Sequence, residues 1–182
     1  MLRFAFALLP MMALAACSSL PVGGGSVQRA VDPLNDDLGT LVLAFDLPRG
    51  VEPIERESML RFDAGPSSGG RHLSVGLVRV DAGDATSTLP PPGSQRLYYL
   101  FGFTESDRSA LRDAQTWARG EGAIPTVTLA PRFCRVTPID PASVSVAVMA
   151  VLPGQSNLAP LFERQVLADA LQAAGGGFPD CT

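Results

Sequence analysis

The sequence predicts an α+β fold, mainly antiparallel β, with a sandwich-like sheet of about seven strands and two packed helices. Three observations carry that prediction. Short alternating or continuous apolar segments are parted by Gly- and Pro-rich turns, a helical period occurs in only two places, and strand and helix never alternate as a parallel sheet requires. With 182 residues, 46% hydrophobic and 18% charged, the chain has enough apolar material for one core, and it shows no internal repeat.

The first strand is expected over 39–47, where Leu41, Leu43, Phe45 and Leu47 share one face and Val42, Ala44 and Asp46 the other. Pro48 and Gly50 end it. A weaker strand over 58–63 is closed by the turn-rich run Gly65-Pro66-Ser67-Ser68-Gly69-Gly70. A third covers 73–80: Leu73, Val75 and Leu77 line one face before Val78 and Val80 shift the register, as a bulge would. Residues 81–94 form a loop stiffened in polyproline conformation by Leu89-Pro90-Pro91-Pro92-Gly93, a surface connector rather than a recognition ligand.

Residues 96–103 are the most emphatic strand. Leu97, Tyr99, Phe101 and Phe103 fall on one side and Tyr98 and Leu100 on the other, so both faces need cover. That pattern suits a central strand better than an aromatic platform for stacking a ligand. The period then changes. Thr104 is placed to cap a helix in which Asp107, Ala110, Leu111, Ala114, Trp117 and Ala118 recur at helical spacing as far as Gly120, opposite Glu105, Arg108, Arg112 and Arg119. Two short strands follow over 124–130 and 133–137, then a second central strand over 143–152 stopped by Pro153-Gly154. A last helix over 158–174, apolar around most of its circumference, keeps a narrow polar stripe of Gln165, Asp169 and Gln172.

Composition excludes several function classes. The net charge is −4, and all 14 basic residues are Arg scattered singly, which leaves no electrostatic footprint for nucleic acid. His72, the one His, would have to serve any Ser-His-acid triad, and no Gly-x-Ser-x-Gly elbow accompanies it. Gly23-Gly24-Gly25 precedes no Lys-Ser/Thr and is no phosphate loop. Among the acids, Asp46 stands out because alternation buries it beside apolar neighbours, a setting for backbone or edge bonding more than for acid catalysis. The reading therefore assigns no catalytic residue, no metal site and no cofactor, and leaves any ligand-binding residues unknown.

The N-terminus reads Met1-Leu2-Arg3, then an apolar run over 4–16 broken only by Pro10. That run is too short to span a bilayer and describes a secretory signal. Its end, Leu14-Ala15-Ala16-Cys17, resembles the lipobox of bacterial lipoproteins. The resemblance implies that Cys17 becomes the first residue of the mature chain and carries the lipid, palmitate included. Ser18 after it implies an outer-membrane address facing the periplasm. The other reading is an ordinary signal cut near Ala13–Ala15, with Cys17 left as a thiol. Residues 1–16 are then the signal, 17–37 a flexible tether with a span of roughly 25 Å for about 20 residues, and 38–182 a single β-rich domain.

With Cys17 lipidated, Cys134 and Cys181 remain as an even pair in an oxidising compartment and are expected to form a disulfide. The zinc-ligand inventory is then reduced to His72. The functional expectation is a membrane-anchored cell-envelope lipoprotein, non-enzymatic, held by lipid on Cys17 and binding an envelope protein partner or aiding an assembly. The alternative is a lipid- or polysaccharide-handling module, or a hydrolase, with a pocket between helix and sheet.

Overall fold

The computed structural model describes residues 31–81, 89–151, 158–173 and 177–182; the expected signal, Cys17 and most of the tether lie outside them. The described strands are β1 (Val42–Pro48), β2 (Val51–Pro53), β3 (Met59–Ala64), β4 (Arg71–Gly76), β5 (Val78–Arg79), β6 (Arg96–Gly102), β7 (Pro125–Ala130), β8 (Phe133–Arg135), β9 (Ser145–Val151) and β10 (Leu158–Val166). Helix α1 (Glu105–Glu121) follows β6, and α2 (Leu167–Ala173) follows β10. The strands form a five-stranded sheet in the order β10-β9-β1-β6-β5, a three-stranded sheet β4-β3-β7 and the pair β2-β8, all antiparallel within themselves. This is the expected α+β class.

The sheets share one core. Phe45 of β1, Phe101 of β6, Phe62 of β3 and Phe133 of β8 are fully buried in a single apolar cluster, and Phe45 meets Phe101 and Phe133 edge to face at 5.5 and 6.3 Å. Burying each such ring stabilises the fold by about 1.5–3 kcal/mol. The central strand is β1, buried on both faces from Leu43 onward, with β6 and β9 as its neighbours. Its flank β9 alternates cleanly, with Val146, Val148 and Ala150 inward and the residues between them half-buried.

Helix α1 forms where the period indicates, and Thr104 caps it by accepting from the Asp107 N–H. The stop differs. Gly120 lies inside the helix and Gly122, with φ +63°, makes the left-handed cap, donating to the Ala118 and Arg119 carbonyls. The domain also begins before residue 38: Val31 is buried, and buried Gln115 of α1 donates to the Pro33 and Asp36 carbonyls while accepting from the Leu38 N–H.

Two expectations about elements are corrected. The shift expected as a bulge near Val78 is a change of sheet: β4 belongs to the three-stranded sheet and β5 to the five-stranded one, with Leu77 buried between them. The expected helix over 158–174 is a strand in its first half. Residues apolar on every side fit either period, and the edge of β9 was available for pairing, with register irregularities around Pro160 and Phe162 where Pro lacks a donor. Only Leu167–Ala173 is helical, with Leu167, Ala170 and Leu171 buried and Asp169 and Gln172 exposed. Within the expected α+β class the described strands number ten in three sheets: β2 is too short to leave a period in the sequence, β5 continues the apolar run of β4, and β10 reads as helix.

Candidate functional site

Asp46 is the buried carboxylate of the five-stranded sheet. In register it lies between Tyr98 of β6 and Ala147 of β9, and its side chain is 5% exposed. Arg96, at the start of β6, donates through Nε to Asp46 Oδ1 at 2.6 Å, and through Nη2 to the Asp46 carbonyl at 2.7 Å and the Ser145 carbonyl at 2.9 Å. Arg164, on β10, donates to the other carboxylate oxygen. One acid thus faces two guanidiniums, and the surplus positive charge sits on Arg164, which is half-exposed. Burial of Tyr98 pushes its phenol above the ordinary value, and the Asp46 charge adds to that. The sequence made the burial of Asp46 legible; its two partners were not, and Arg164 had been placed on a helix.

Beside this cluster runs an open groove of about 550 Å³. Pro90, Pro91 and Pro92 line it together with Leu97, Tyr98 and Tyr99 of β6. Arg79 closes one end, its guanidinium 5.2 Å from the Tyr99 ring centre and 3.2 Å from Glu52. The expectation that both faces of β6 are fully covered holds for Leu100 and Phe101 but not for the first residues: Leu97 is 38% exposed and both tyrosines are half-buried.

The groove follows a strand edge. Pairing of β5 with β6 reaches Val80, whose N–H donates to the Leu100 carbonyl at 3.0 Å, while the Arg96 N–H turns back to the Gly93 carbonyl at 3.1 Å. By the alternation of an antiparallel ladder, Tyr98 presents its N–H and C=O on that edge, and no strand among the described residues pairs with them. Two smaller hollows flank α1, one of about 310 Å³ near Thr104 and Asp107 and one of about 340 Å³ near Asp37 and Arg112.

His72 lies far from this groove in the topology, on β4, where Nδ1 is 2.9 Å from Asp63 Oδ1 and Nε2 is 3.2 Å from the Pro66 carbonyl. Cys134 and Cys181 stand at disulfide distance, with Cα atoms 5.0 Å apart. The chain end is laid along β8 by hydrogen bonds from Arg135 N–H to the Pro179 carbonyl and from Cys181 N–H to the Arg135 carbonyl. Among the described residues no three His, Cys, Asp or Glu side chains cluster to hold a metal, and no helix is long and apolar enough to cross a membrane. Cys17 lies outside the described residues. In comparisons with known proteins, no protein-family model, no curated protein and no solved structure matches this chain.

Proposed function

We propose that this chain is a membrane-anchored lipoprotein of the bacterial cell envelope, attached through lipid on Cys17 and addressed to the outer membrane, whose domain binds an envelope protein partner. The anchoring half rests on the lipobox resemblance of Leu14-Ala15-Ala16-Cys17. The observation that supports the binding half is the groove along β6. It combines exposed Leu97 and Pro surface and two half-buried tyrosines with main-chain groups of Tyr98 that an extended partner segment would satisfy. Tyrosine, present twice in this groove, is among the residue types that dominate protein interfaces. Asp46, the buried carboxylate of the neighbouring cluster, is engaged by an arginine at each of its two oxygens, which suits a rigid platform under the groove rather than an acid–base pair.

Two measurements test the halves separately. Cys17→Ser should release the protein from membranes and abolish palmitate labelling; unchanged fractionation overturns the anchor. A photo-crosslinking residue at Leu97 or Tyr99 should give a discrete protein adduct in intact cells, while one at exposed Arg61 on the three-stranded sheet should not. Equal labelling at both positions, or none at the groove, overturns the partner reading.

A further inference from the structure

We propose that His72, in its doubly protonated form, is an acid-operated latch that ties down the loop between β3 and β4. Both ring nitrogens of His72 point at acceptors, Nδ1 at the Asp63 carboxylate and Nε2 at the Pro66 carbonyl. A neutral imidazole carries one N–H and can serve only one of them, leaving a lone pair against the oxygen of the other. The imidazolium donates to both. The latch is therefore closed when the ring carries its second proton and loses one of its two bonds when the ring is neutral.

The surroundings favour the closed state. Asp63 of β3, directly opposite His72 in register, is the charged group that faces the ring, and its hydrogen bond, with the Pro66 carbonyl next, raises the ring's affinity for the proton above the ordinary value of 6.5. Arg61 lies two positions along β3, and β7 offers only Thr126 opposite Asp63 and Thr128 opposite Arg61. The loop residues 65–70 bring no titratable side chain. Helix α1 packs its buried Leu111, Ala114 and Ala118 into the core with Leu60, Phe62 and Ala64, the alternate residues of β3 to Arg61 and Asp63.

What the latch holds is a tight turn. Pro66 also accepts from the Gly70 N–H at 3.0 Å, so one carbonyl joins the turn to the ring. At the base of the turn, a Cβ on Gly65 would sit 3.5 Å from the Trp117 ring, which makes the single tryptophan a neighbour of the loop. Since the proton is bound more tightly in the folded chain, the latch's stabilisation is fully present below about 6.5 and fades as pH rises through the higher folded value. The loop is thus held by both ring bonds in acid and by one fewer toward alkaline pH.

The test uses the full chain. His72 and Trp117 are each unique, so ring proton NMR and tryptophan emission report them without assignment ambiguity. We expect the His72 ring to titrate above 6.5, with Trp117 emission and the Ser67 and Gly69 amide signals moving at the same midpoint. Asp63→Asn should lower that midpoint, and His72→Asn should erase the step. A native midpoint at or below 6.5, or a ring titration with no response in the loop and Trp117, overturns the proposal, and neither measurement depends on a variant folding.

Discussion

Arg96 grips Asp46 at two points, its Nε on the carboxylate at 2.6 Å and its Nη2 on the same residue's carbonyl at 2.7 Å. The second Nη2 contact, 2.9 Å to the Ser145 carbonyl, carries the grip from β6 across β1 to β9. A side chain 15% exposed thereby spans three adjacent strands of one sheet. With Arg164 on Oδ2, both carboxylate oxygens of the buried acid are satisfied, which is the condition under which a buried ion pair can be kept at all.

Removing the acid should therefore cost far more than removing its outer partner. Asp46→Ala leaves two guanidiniums uncompensated and is expected to lose about 3 kcal/mol of unfolding free energy. Arg164→Ala removes a half-exposed, screened partner and should cost under about 1 kcal/mol. Urea unfolding of the two variants decides the matter; equal losses would mean that Arg164, not Arg96, holds the charge.

The C-terminus gives a second expectation. Joining positions 47 residues apart in sequence is worth about 4 kcal/mol in the chain-entropy model. Reductant should lower the thermal midpoint substantially, and mass spectrometry of unreduced, alkylated protein should find neither Cys134 nor Cys181 modified. Two alkylated thiols would show the pair to be open.

Two glycines should respond with opposite sign. A Cβ on Gly70 would lie 2.3 Å from the Pro66 carbonyl and 2.5 Å from the Ala64 carbonyl, so Gly70→Ala should destabilise by about 1–3 kcal/mol. Gly120 sits inside α1 with nothing within 4 Å of its Cβ position. Gly120→Ala should stabilise by roughly 0.5–1 kcal/mol. Paired thermal melts check both signs.

The chain's two tyrosines, Tyr98 and Tyr99, both lie on β6 and both have phenols pushed above 10.0, chiefly by burial, with Asp46 adding for Tyr98 and Glu52 for Tyr99. An acid whose folded value is raised favours the neutral form, so its contribution is present below about 10 and is lost as pH climbs through the folded value. Phenolate absorbance of the native protein should rise later than that of the urea-unfolded chain. Coincident curves would place both rings in water.

How much of this was legible follows the range of the signal. The α1 helix announced itself through contiguous residues, its Thr104 cap and the spacing of Leu111, Ala114 and Ala118, and the structure keeps all of them. The burial of Asp46 was readable from alternation along β1, but its partners stand 50 and 118 positions away and left no local mark. Strand β10 is masked in the sequence because Leu167, Ala170 and Leu171 follow a helical period that continues backward into residues whose pairing with β9 makes them a strand. Ser58, fully buried and exchanging hydrogen bonds with Arg132 at 3.0 and 3.1 Å, passed as an ordinary strand start because its reason lies in a loop distant in sequence.

Leu77 closes the gap between two sheets with a single residue: its N–H donates to Ser58 at 2.8 Å, its carbonyl accepts from Arg56 at 2.7 Å, and its side chain is fully buried. No slack segment separates the last residue of β4 from the first of β5. A pull that peels one sheet away must tear out the other's edge at the same moment, so the domain should resist stretching as one block and yield in one step. Failing late and all at once would keep the surfaces of both sheets presented under load.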